Sequence, residues 1–246
     1  MKNYFLVLIL TVFCRNIQIC NAQQSNSTGG NDIVKVNLSA LAFRNISVEY
    51  ERKVSDRNSL TLNIHTIPFG SLPYVSLAQN VIDKAYVDLN QAKIGALGAT
   101  ATYRFYSKKK GTFRGFYFAP MLNFNSYKTS LPIQYNNGKT GLFDGNITAI
   151  TGGMQLGVQI PFGKRVYMDL WLLGPSYGIS NGHLNFTGNL SINEQAILSA
   201  EIEDLKNSLP IYVIKSYQVS SGGATITEQG PWAGLRGLGV NFGIRF

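Results

Sequence analysis

The chain has 246 residues and a formal charge of +9, yet only 14% of its residues are charged, 12% are aromatic and 25 are glycine. A mean hydropathy of +0.01 excludes an α-helical membrane protein and suits strands with one face toward lipid and one toward a wet interior. No dense basic run interleaves with aromatics, so nucleic acid is not an expected partner.

The chain opens with Lys2 and an apolar run from Tyr4 to Cys14 that is too short to span a bilayer as a helix. Arg15 and then Cys20-Asn21-Ala22 follow, which reads as a signal peptide over 1–22 cleaved after Ala22. A retained anchor and a lipoprotein are the alternatives, the latter disfavoured because neither cysteine has the small residues of a lipobox before it. Cleavage removes Lys2, Arg15, Cys14 and Cys20, taking the charge from +9 to +7. No disulfide, thiolate metal site or cysteine nucleophile remains. Residues 23–32 are a polar, flexible lead-in.

The remainder, 33–246, divides into eight alternating segments of the length a tilted transmembrane strand needs: 33–43, 45–54, 59–66, 93–106, 114–126, 146–162, 165–173 and 237–246. The expected fold is all-β, an eight-stranded antiparallel transmembrane β-barrel with periplasmic termini. Pro120 predicts a bulge or a local break in its ladder. Short turns at 55–58, 107–113 and Gly163 alternate with long connections at 67–92, 127–145 and 175–232, although the first outer connection, near Arg44, is tight. In the last long connection, Ser191 with Glu194 forms a capping box ahead of Leu198, Ile202, Leu205 and Leu209, predicting a helix over 191–209 that Pro210 stops. A second short helix is expected over 77–89.

In the last segment Val240, Phe242, Ile244 and Phe246 alternate with Gly239, Asn241, Gly243 and Arg245. Outward aromatics Tyr50, Tyr103, Phe105, Phe116, Phe162 and Phe246 gather at the periplasmic ends, where rings favour the headgroup level.

Asn37-Leu38-Ser39-Ala40-Leu41, Ser47-Val48-Glu49-Tyr50-Glu51, Gly115-Phe116-Tyr117-Phe118-Ala119-Pro120 and Asp169-Leu170-Trp171-Leu172-Leu173-Gly174-Pro175 resemble the uncharacterised small outer-membrane β-barrels of Bacteroidota, porin-like proteins of the eight-stranded superfamily. That resemblance spans most of the mature chain. It implies the fold and a Gram-negative outer-membrane location, and it brings no catalytic residue. By likeness to outer-membrane proteins generally, Phe246, Ile244, Phe242 and Val240 would be read by the barrel-assembly machinery.

The inward set carries Lys35, Glu49, Glu51, Arg104, Asp169 and Arg245. In a narrow barrel these would pair as a rigid plug, with a small passive or gated pore as the alternative. His65 with Ser59 or Glu49 would need a cooperative register to act as a hydrolase, and no Gly-x-Ser-x-Gly motif accompanies them. Two histidines, His65 and His183, are too few to indicate a transition-metal site, so no cofactor, metal or enzyme activity is expected. Lys108, Lys109, Lys110, Arg114, Lys164 and Arg165 form a periplasmic basic rim, an ordinary solvated surface or a seat for anionic headgroups. The expected partners are outer-membrane lipid, the assembly machinery and an envelope protein held by the outer loops. A soluble lipocalin-like binder would require the two strand faces to be exchanged.

Overall fold

The computed structural model describes residues 30–75, 89–107, 110–135, 139–208 and 213–246. The predicted signal peptide, most of the lead-in and of the 77–89 helix, and Lys108 and Lys109 lie outside the described residues. Among the described residues ten strands form one antiparallel sheet: β1 (Asp32–Asn37), β2 (Ile46–Lys53), β3 (Asn58–Ser71), β4 (Lys93–Tyr106), β5 (Gly115–Tyr135), β6 (Lys139–Phe162), β7 (Val166–Thr187), β8 (Ile214–Ser220), β9 (Gly223–Arg236) and β10 (Gly239–Arg245).

Neighbours in sequence pair from β1 through β7. β10 then pairs with β1 on one side and with the first half of β7 on the other, so these eight strands form a ring of hydrogen-bonded neighbours. The expected count of eight is corrected to ten, because the connection at 175–232 is not a loop. β7 continues through it to Thr187 and pairs with β9, which pairs in turn with β8. The connection at 127–145 is likewise mostly strand, since β5 and β6 stay paired to Tyr135↔Lys139.

At about 3.3 Å per residue, strands of 21–24 residues (β5, β6 and β7) reach about 70 Å, well past the bilayer thickness that strands of 9–11 residues cross. Above the ring they form a panel with β9 and β8. The helix Ile192–Ser208 packs on this panel through Ile202, Ile214 and Ala224, with Leu198, Phe186 and Ile226 around them. Its start follows the sequence expectation: the Ser191 backbone N–H donates to Glu194 Oε2 at 2.8 Å and the Glu194 N–H donates to Ser191 Oγ at 3.4 Å.

One strand end and one stretch within a strand depart from a continuous ladder. The first strand, expected to run to Phe43, stops at Asn37, whose side chain accepts from the Ala40 N–H at 2.9 Å and caps the short helix Leu38–Leu41. Around Pro120 the β4–β5 pairs lapse between Thr102↔Met121 and Phe105↔Phe118 without changing register. A missing N–H produces such a local break and no bulge.

Along β2, buried and exposed residues alternate strictly, and the same rule orders the ring. Lys35, Glu49, Thr61, Asn63, Thr102, Gln155 and Asn241 are buried, whereas Val36, Val48, Leu62, Leu122, Leu156 and Phe242 are exposed. The ring is therefore polar within and apolar without. None of the described helices is long and apolar enough to cross a membrane.

Candidate functional site

From the turn end of the ring upward, the interior is built in three layers. The lowest is an aromatic cap. Phe113, in the β4–β5 turn, is 1% exposed and packs with Ile33 and Tyr167. The turn is drawn under the ring by the Thr112 N–H, which donates to the Asp56 carbonyl at 2.9 Å. Phe113 sits at φ +67°, a left-handed conformation a bulky residue adopts only when its surroundings hold it. Arg245 lies 5.2 Å over the Phe113 ring and donates to the Gly30 carbonyl and the Tyr167 hydroxyl. Arg245, an inward residue that the sequence also sets among the basic residues of the rim, thus lies at the rim and outside the ionic cluster.

The second layer brings Lys35, Glu49, Glu51, Arg104 and Asp169 together from β1, β2, β4 and β7, all of them at most 1% exposed. Strand register explains the meeting, since Lys35 faces Glu49 directly across β1 and β2. Lys35 Nζ lies 3.0 Å from Glu49 Oε1 and 2.7 Å from Asp169 Oδ2, and it contacts Glu51 Oε2 as well. Arg104 reaches the same three acids, with Nη2 at 2.7 Å from Glu49 Oε1 and Nη1 at 2.7 Å from Asp169 Oδ2 and 3.2 Å from Glu51 Oε2. Tyr106 donates to Glu51 Oε1 at 2.6 Å and Tyr117 to Asp169 Oδ1 at 2.8 Å.

The three carboxylates place oxygens within 4.8 Å of one another, the donor set a cation needs, and the Lys35 ammonium and the Arg104 guanidinium fill that role. Burial of these charges is tolerable only because each is paired and hydrogen-bonded. Gly157 makes room for one phenol, because a Cβ there would collide with the Tyr117 hydroxyl. Sequence alternation identified the charges but not Tyr106 and Tyr117, which are the matching inward positions of β4 and β5.

The third layer is a cavity of about 290 Å³ on the other side of the ionic network, lined by Asn63, His65, Asn123, Asn125, Trp171 and Arg236 among others. Arg236 was not singled out from the sequence. Ser59 and His65 are not brought together: they lie six residues apart on β3, about 20 Å along a strand, and Ser59 is bonded to Glu51 in the layer below. His183 is exposed on the panel, 3.5 Å from Thr227 Oγ1.

Of the basic rim, Lys110, Arg114, Lys164 and Arg165 are exposed at the turn end. Phe242, Ile244 and Phe246 are 38%, 61% and 62% exposed on the outer face, and Val240 is half-buried. Phe105, Phe116 and Phe162 are exposed near the same end, with Phe105 stacked on Phe118 at 4.8 Å.

Fold and interior together define an antiparallel all-β protein with an ionic core and an apolar exterior. The chain belongs to the DUF3575 family, described as proteins of unknown function, whose sequence profile matches residues 6–178. That span contains all five ionic-layer residues and stops within β7, short of Arg236. No curated protein and no solved structure matches the chain significantly.

Proposed function

We propose that the chain is an outer-membrane β-barrel of eight membrane-crossing strands, the eighth formed by β9 and β10 together, and that it acts as a scaffold. On this reading the helix-bearing panel stands outside the membrane as a contact surface for another envelope component. The observation that carries the reading is the inverted polarity of the ring. Leu62, Leu97, Leu122, Phe124, Ile150 and Ile244 are about half exposed or more, while the interior holds five buried charges. Water would penalise so large an apolar belt, and lipid is the solvent that matches it. Closure of the pairing through β10 supports the same reading, because a sheet in lipid can leave no open edge. The likeness to small outer-membrane barrels of Bacteroidota points the same way.

Phe113 and the ionic layer fill the lower interior, which favours a scaffold over a pore. The test uses the full chain refolded into lipid vesicles. A folded barrel resists carbonate extraction and migrates differently on gels before and after boiling. Release by carbonate, or migration indifferent to heating, would overturn the proposal.

A further inference from the structure

The cavity above the ionic layer has a one-sided wall. Among the described residues its lining contains amides, hydroxyls and aromatic rings but no Asp, Glu or Lys, and Arg236 is the one permanently charged residue among them. Arg236 donates to Thr100 Oγ1 at 2.8 Å and to Gln155 Oε1 at 3.4 Å, and its guanidinium lies 4.4 Å over the Trp171 ring. Both acceptors are neutral. The nearby acids are engaged below by Lys35 and Arg104, and among the described residues Arg236 has no ion pair. A guanidinium carries five N–H donors in a planar fork that matches a carboxylate, so two neutral contacts leave donors to offer.

Three further lining residues carry an unpartnered polar atom: Trp171 Nε1, a donor on a residue 5% exposed, Asn63 Oδ1, an acceptor on a residue 1% exposed, and Asn45 Oδ1, an acceptor on a half-buried residue. Such groups cost free energy unless something pairs with them. The volume is close to the lower bound of about 300 Å³ for small-molecule pockets. The ionic layer beneath has one more carboxylate than cations, and Glu49 and Asp169 act on Arg236 at longer range. That field opposes any anion and a polyanion most, so only a single negative charge set directly on Arg236 is compatible with it.

We propose that this cavity binds a sugar-sized, hydroxylated monocarboxylate, with its carboxylate on the Arg236 guanidinium and its hydroxyls on the surrounding amides. The site goes beyond the scaffold reading and does not depend on what the panel contacts.

Both tryptophans of the chain, Trp171 and Trp232, line the cavity, so intrinsic fluorescence of the detergent-folded full chain reports occupancy. The probes are D-glucuronate and D-glucose, which differ in the carboxylate. Glucuronate is expected to titrate to saturation, with glucose at least about tenfold weaker. Arg236→Gln should weaken glucuronate at least about tenfold. Asn125→Asp, isosteric and placing a carboxylate on the wall beside His65, should do the same and carries the test if the arginine variant fails to fold. A folded chain with no saturable glucuronate signal, equal binding of the two sugars, or unchanged binding in the folded variants would overturn the site. Heat-dependent migration, measured in parallel, separates that result from failure of the barrel reading.

Discussion

Arg104 and Lys35 show how unequal the two sides of a buried ion cluster are. Arg104→Gln leaves three buried carboxylates around one ammonium, and losing one partner of such a cluster costs about 3–5 kcal/mol. Glu51→Gln removes the surplus acid and leaves two of each sign, so it should cost less. Urea unfolding of both variants in vesicles measures this, and the order Arg104→Gln worse than Glu51→Gln is the expected outcome. Phe113→Ala should cost about 3–5 kcal/mol in the same assay, as expected for emptying a buried aromatic site. The ionic residues were legible because each is a charged residue at an inward position of an alternating strand. Phe113 was not, since a turn has no period and its inward placement depends on Thr112 being held by Asp56.

At the scale of elements, the helix Ile192–Ser208 and the break between β9 and β10 mark the two extremes of legibility. The helix announced itself through its capping box, a local signal. Ser191→Ala should cost it about 1 kcal/mol, and Ile202→Ala should release it from the panel, seen as faster proteolysis within 192–208 while the ring stays heat-modifiable. The break was invisible. Arg236↔Gly174 and Gly239↔Trp171 keep one register on β7, but Gly237 and Leu238 are both exposed opposite Leu172 and Leu173, which are also both exposed. The paired slip reverses the inward parity of both strands at once. Strict alternation back from Val240 would send Arg236 to the outer face, and the slip turns it inward.

For the whole molecule, the inverted polarity makes a prediction that a water-soluble protein would not meet. Leu62→Arg and Leu122→Arg, on exposed positions linked through Ala101 in the middle of the wall, should each destabilise the folded chain in bilayers by about 2–4 kcal/mol. In water an exposed leucine tolerates such a change nearly free of cost, so vesicle unfolding curves that fail to move would count against the membrane reading. With the lower interior filled by Phe113 and five charges, planar-bilayer recordings should show no steady single-channel current, and a stable current would favour the small pore instead.

The sequence by itself determined which face of each ring strand is polar, which charges point inward and where the capped helix lies, because period-two alternation and caps are local and survive without the rest of the chain. Only the tertiary structure decided how far β5, β6 and β7 extend, since beyond the apolar belt their residues no longer alternate by polarity and read as loop. It also decided that Phe113 closes one end and that Arg236 enters the other, because both depend on pairings between segments distant in sequence.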